Sequence, residues 1–321
     1  MVAAAGNGHL FGVVFGDGTL RIFDSLTPGA EPISVQAHNG AGLCITADID
    51  NRAFLTGGDD GSLVRTDALG NRATLAEHQH RWVEHVTVHS GTGQRIYAVG
   101  KDTYIISKKK DAEPRKFSHK STIGGLAINP KGRRLAVSHY DGVSLWWLAA
   151  KNSNPTLLEW KGSHLQLAWS PNGAYVMSAM QENAVHGWRL SDNEHMRMSG
   201  YGAKIRSLAF TRKGHFLATG GGDSVVCWPF TGGGPMGKPP VQFGDGDGIA
   251  VTAVAANPKL DLIAAGLESG KVILGQPGQD RPVAIIDGKH DPVTTMCWNS
   301  NGDVLLVGTE GGDIYISDFR D

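Results

Sequence analysis

The chain repeats itself. At spacings of 39–46 residues it writes an apolar strand, a tight polar turn, a second apolar strand and a turn opened by a small residue: Asp17, Asp60, Asp102, Asp141, Asn183, Asp223, Ser269 and Gly311 in succession. A period of about 40–45 residues built from strands is the mark of propeller blades. A blade cannot cover both of its faces alone, so the copies must stack around an axis. Even spacing from end to end leaves no room for a domain boundary, and it overrides the expectation of about two domains for such a length. The reading is one all-β propeller domain over residues 1–321, built of four-stranded antiparallel blades. Eight blades are expected, with seven as the alternative.

Within a blade the strands are lettered a to d outward from the axis. In the fifth copy Leu165–Trp169 reads as strand a, Ser170-Pro171-Asn172-Gly173 as the turn, Ala174–Ser178 as strand b and Val185–Trp188 as strand c. The a–b turn recurs as Asn129-Pro130-Lys131-Gly132, Thr211-Arg212-Lys213-Gly214 and Asn299-Ser300-Asn301-Gly302. Pro and Gly at such offsets supply the dihedrals that tight hairpins need. The b–c links Gly16-Asp17-Gly18, Asp59-Asp60-Gly61 and Tyr140-Asp141-Gly142 are hairpin signals of the same kind. No stretch sustains a 3.6-residue apolar period with caps, so almost no helix is expected. The Gly/Pro-rich stretch from Thr231 to Pro240 reads as an enlarged c–d loop of copy six.

Charge is balanced, with 30 basic and 31 acidic residues and a formal net charge of -1. No global bias toward nucleic acid or an anionic membrane follows. The densest basic patch, Lys108–Lys110 with Arg115 and Lys116, reads as a solvated turn. Cys44, Cys227 and Cys297 lie apart in apolar runs without a C-x-x-C spacing, and they read as reduced, buried thiols of a cytoplasmic protein. The start lacks a basic n-region and a long apolar stretch, so no signal peptide is expected. Nothing approaches 18 consecutive apolar residues, which argues against a membrane-spanning helix.

On these residues the chain resembles the WD40 family. A turn Asp is followed by a c strand ending in an aromatic, as in Asp17 to Phe23, Asp141 to Trp147 and Asp223 to Trp228. The family's closing Trp-Asp pair corresponds to Phe23-Asp24, Thr66-Asp67 and Ser317-Asp318, so the literal dipeptide is never present. Its histidine before strand a matches His38, His78 or His80, His119, His164 and His290, whereas copies six and seven carry Ser199-Gly200 and Gly244-Asp245 there. The resemblance covers essentially the whole chain and places the d–a and b–c loops on one face. It implies that His38 with Asp60, and His119 with Asp141 and Trp147, are structural braces. Ser138 beside His119 and Asp141 mimics a catalytic triad, but the brace is the reading taken.

Closure is unusual. Copy eight has strand c at Ile314–Ser317 and then only residues 318–321, while Val2–Ala5 already aligns with strand a of copy one. The last blade is therefore expected to lack its outer strand, through a three-stranded blade or a natural N-terminal segment outside this sequence. An edge at 313–318 that pairs with a partner strand, or with a second copy, is the functional alternative.

Candidate chemistry is sparse. His78, His80, His85 and His89 fall within 77–90 with Glu77 and Glu84, yet His85 and His89 are about 13 Å apart on an extended strand. One zinc ion cannot bridge both. Asp245 and Asp247 among glycines lack the further ligands of a calcium loop. Phosphate-binding, hydrolase-elbow and metalloprotease signatures are missing. No catalytic residue, metal or cofactor is assigned. Aromatic and charged residues in variable loops matter more, since Trp, Tyr and Arg dominate interface hot spots. Arg81, Trp82, Tyr140, Tyr201, Lys204 and Asp291 are the expected partner-binding residues. The function expected is a non-enzymatic scaffold or adaptor for protein or peptide partners, with no nucleic acid and no membrane. The alternative is a propeller enzyme or metal-handling protein using the channel or the histidines of 77–90.

Overall fold

The computed structural model describes residues 1–50, 52–106, 113–150, 154–244, 246–279 and 281–320. Among them every regular element is a strand, so no helix is long and apolar enough to cross a membrane. The basic run Lys108–Lys110 lies outside the described residues. Strand a of each copy lies at the axis: Ala3–Asn7, Gly42–Ala47, Val83–His89, Gly125–Ile128, the second half of Thr156–Trp169, Ser207–Phe210, Val251–Ala256 and Val293–Trp298. Each inner strand packs against the next in this order, and Val293–Trp298 packs against Ala3–Asn7, so the ring closes.

Hydrogen bonding joins the strands into seven sheets. The six-stranded one holds copies four and five, because Thr156–Trp169 pairs with strand c of copy four through its first half and with strand b of copy five through its second. Strand Arg134–Trp147 supplies both b and c of copy four. The Leu148 N–H donates to Arg133 O at 2.9 Å, the same closure that Ser25 makes to His9, Ala68 to Arg52 and Leu190 to Ala174 in other b–c hairpins. Seven blades thus carry four antiparallel strands, which is the number given as the alternative. The copy that remains, Val293–Trp298, Val304–Thr309 and Ile314–Asp318, is a three-stranded sheet.

Most b strands are buried along their whole length, as in Leu10–Val14, Ala53–Gly58, Tyr175–Met180 and Val304–Thr309. A b strand has a strand on each side and a blade on each face, so few of its residues meet water. Outer d strands such as Ile33–Gln36 and Val283–Ile286 are half exposed. Apolar clusters fill the seams between blades; one of them closes the ring with Phe11 and Val13 against Val304 and Leu306. The b–c turns press on the d–a loops that follow them. A Cβ on Gly61, at φ +82°, would meet His78 O at 2.0 Å, so this turn admits only glycine. That contact puts b–c and d–a loops side by side on one face, as the resemblance implies.

Candidate protein-docking face

The face is held by a brace in most copies, and copy two has the expected one. His38 Nδ1 lies 3.1 Å from Asp60 Oδ1 and Nε2 lies 2.9 Å from Thr56 Oγ1. Asp60 also accepts the N–H groups of Asn39 and Ser62 at 2.9 and 3.0 Å. Burial lowers the His38 pKa more than the Asp60 charge raises it, so the ring is neutral at pH 7. A neutral ring donating from Nδ1 and accepting at Nε2 satisfies both partners.

Copy four departs from expectation. His119 Nε2 accepts from Trp146 Nε1 at 3.0 Å, and its Nδ1 bonds Lys101 O at 3.1 Å. Burial pushes its pKa down to about 4. Asp141 is no partner of His119; it is exposed, sits at φ 67°, and accepts from the Gly162 N–H at 3.2 Å. The bracing tryptophan is Trp146, which is buried and stacked 4.1 Å from Phe117, whereas Trp147 is 42% exposed beneath the Arg134 guanidinium. Neighbouring side chains on a strand point to opposite faces, so one position decides which indole is inside. Ser138 Oγ donates to Leu165 O, so Ser138, His119 and Asp141 do not assemble into a triad.

In copy six a tyrosine stands in for the missing histidine. Tyr201 OH accepts from Trp228 Nε1 at 2.6 Å and bonds Thr219 Oγ1 at 2.8 Å, so this expected contact residue has its hydroxyl turned inward. Tyr201→Phe leaves the partly buried Trp228 indole N–H without its acceptor. Stability is expected to fall by about 1–3 kcal/mol in urea unfolding; an unchanged midpoint would show that Trp228 does not depend on the hydroxyl.

The histidines of 77–90 go separate ways. His78 Nε2 bonds Tyr97 OH at 3.0 Å, His89 bonds Thr92 Oγ1 and Pro130 O, and His85 is drawn to a low pKa by burial. Among the described residues no group of three or more His, Cys, Asp or Glu side chains is placed to hold a metal ion. Asp245 lies outside the described residues.

The surface residues form two groups. Trp82 is 57% exposed and lines a shallow hollow of about 300 Å³ with His80, Arg81, Glu84 and Lys101; Arg81 stands 3.7 Å from Asp102. Tyr140, 52% exposed, is a ridge between two hollows. On one side lies a cleft of about 820 Å³, walled by Val143, Trp146, Leu157 and Leu158 and edged by Lys120, Glu159 and Lys161. On the other a hollow of about 310 Å³ is lined by Trp160, Met180, Glu182 and Arg197. Lys204 and Asp291 are exposed on loops of copies six and eight and line neither hollow.

The cleft wall leaves no mark in the blade repeat. It depends on a bulge in which Tyr140 pairs with Ser163 and Gly142 with Glu159, so that Trp160, Lys161 and Gly162 face Asp141 alone. Trp160 then stacks 4.1 Å from His186, whose ring is fully buried with both nitrogens unpartnered. Burial holds the His186 pKa near 3, so the imidazole serves as a neutral plate behind the indole. The available sequence signal was the lack of any separate turn between Thr156 and Trp169.

The chain is similar to known proteins in sequence only over parts of its length. A family model described as the anaphase-promoting complex subunit 4 WD40 domain matches residues 254–321, and one described as the WD domain, G-beta repeat, matches residues 193–228. No curated protein matches. Among solved structures, the β-propeller domain of Cps50 (Swd1) from Myceliophteria thermophila is similar with a TM-score of 0.68 at 14% identity, over 87% of this chain and 97% of that one. The WD40 repeats of RRP9 are similar with a TM-score of 0.67 at 19% identity, over 85% of this chain and 88% of that one. At such identities the likeness is one of fold.

Proposed function

Because the chain is a WD40-repeat β-propeller, we propose that it is a non-enzymatic scaffold that receives a protein or peptide partner on the face bearing its b–c and d–a loops. Propellers of this kind are generally scaffolds for protein interactions. The observation that carries the reading is exposed Tyr140 beside an 820 Å³ cleft with apolar walls and a charged rim. An exposed aromatic next to an apolar hollow rimmed by charge is the make-up of an interface hot spot. Trp82 with Arg81 offers a second anchor on the same face. The brace histidines His38 and His119 are neutral and engaged, which suits a rigid platform better than acid–base work. Cys44, Cys227 and Cys297 are free thiols whose pKa burial raises to about 12, and such inert thiols suit the cytoplasm.

Tyr140→Ala and Trp82→Ala test the reading. Both side chains are exposed, so each variant is expected to fold with a loss under about 0.5 kcal/mol. Quantitative affinity purification should then show partners of the native protein depleted at least about fivefold by one or both substitutions, as loss of a hot-spot aromatic requires. The same partners recovered at the same level from both variants would remove the face from consideration.

A further inference from the structure

We propose that the free edge of the last blade is a docking slot for an extended segment of a partner protein, in which a basic residue is followed by an aromatic one. The proposal is independent of the Tyr140 cleft. Ile314–Asp318 is the outer strand of a three-stranded sheet, and among the described residues no strand pairs with its far side. Its inner hydrogen bonds run through alternate residues: the Phe319 N–H donates to Asp303 O, and Asp313 O accepts from Thr309. The backbone groups of Ile314, Ile316 and Asp318, the residues between, therefore point outward, in reach of a fourth strand. Beside them Phe23, Ile316 and Asp318 line a slot of about 210 Å³ against the c–d loop of the first blade.

The chain carries a template for what fits. In copy three, strand d is Arg115–Ser118. Its Phe117 stacks 4.1 Å from Trp146 of the next blade, and Lys116 Nζ lies 2.9 Å from Asp102, the residue that opens strand c. The last blade repeats both recipients. Hairpin closure places Phe23 of the first blade where Trp146 stands in the fourth, since Ser25 bonds His9 as Leu148 bonds Arg133. Phe23 is partly buried in the cluster that closes the ring, so a strand entering the slot extends an interface already made there. Asp313 opens strand c as Asp102 does and is exposed. The slot lining adds the carboxylate of Asp24, while that of Asp318 is already paired with Arg320, which also donates to Ser25 O, so Asp313 is the recipient for a basic side chain. A segment with Lys or Arg one position before an aromatic thus meets Asp313 on one face and Phe23 on the other.

The probe is a second copy of residues 113–120 joined behind residue 321 through a flexible Gly/Ser linker, which holds it at about millimolar effective concentration. Amide exchange of Ile314, Ile316 and Asp318, followed by NMR, is expected to slow at least about tenfold. With Asp in place of the probe's phenylalanine the protection should disappear. Unchanged exchange with the intact probe, or equal protection by the Asp-bearing one, would overturn the proposal. Sedimentation of the protein without a probe should give a monomer. A dimer with protected 314–318 amides would assign the slot to a second copy and overturn the heterologous partner.

Discussion

Replacing Asp48 by alanine is expected to lower stability by about 3–5 kcal/mol, the cost of breaking a buried ion pair from one side. Asp48 follows the inner strand of the second blade, and its side chain is fully buried. Arg95 of the third blade donates to it from Nε at 2.6 Å and Nη2 at 2.8 Å, and Arg65 of its own blade donates from Nε at 2.8 Å. The carboxylate thus fastens one seam on the face opposite the braces. Alanine leaves two guanidinium groups, 17% and 25% exposed, without that anion. Urea unfolding checks the value, with an unchanged slope showing that the native state is otherwise intact.

The same variant has a pH signature. Burial would raise the Asp48 pKa, but the bonds from Arg95 and Arg65 outweigh it and hold the carboxyl below its ordinary value. The unfolded chain, with a carboxyl pKa of about 3.9, then takes up the proton first. The stability that Asp48 provides is therefore fully present above the unfolded-state pKa and is lost as pH falls through the folded one. Native protein and Asp48→Ala should differ by a constant amount near neutrality and converge in acid. A difference that persists undiminished below pH 2 would assign the loss to packing instead of charge.

Different parts of this molecule were legible in sequence to different degrees, for physical reasons. The blade period shows because every copy needs a turn small enough to press against its neighbour's loop, as Gly61 does against His78 O. The three-stranded last blade is legible because the copy ending at Ile314–Asp318 carries no fourth apolar run, and among the described residues no strand pairs with its far side. In sequence Tyr201 reads as a contact residue because a hydroxyl can do the work of an imidazole nitrogen, so the brace changes its residue type without changing its place. Asp48 is silent in the repeat, since its partners lie on two blades and 17 and 47 positions away. The cleft beside Tyr140 rests on a bulge at Trp160–Gly162, and an irregular register leaves no periodic trace.

Adjacent tryptophans give the sharpest test of register. Trp146→Ala removes a buried ring stacked on Phe117 and leaves His119 Nε2 without its donor, for an expected loss of about 3–5 kcal/mol. Trp147→Ala removes an exposed ring covered on one side by Arg134, where a cation–π contact contributes about 0.5–1 kcal/mol. The two unfolding midpoints should therefore separate widely, with Trp147→Ala close to the native protein. Near-equal losses, or a greater loss at Trp147, would mean that strand c of the fourth blade is shifted by one residue. That shift would turn Phe117 away from its ring and remove the equivalence between Trp146 and Phe23. The chemistry assigned to the slot beside Ile314–Asp318 depends on that equivalence, so a stability measurement on the fourth blade also bears on the edge of the eighth.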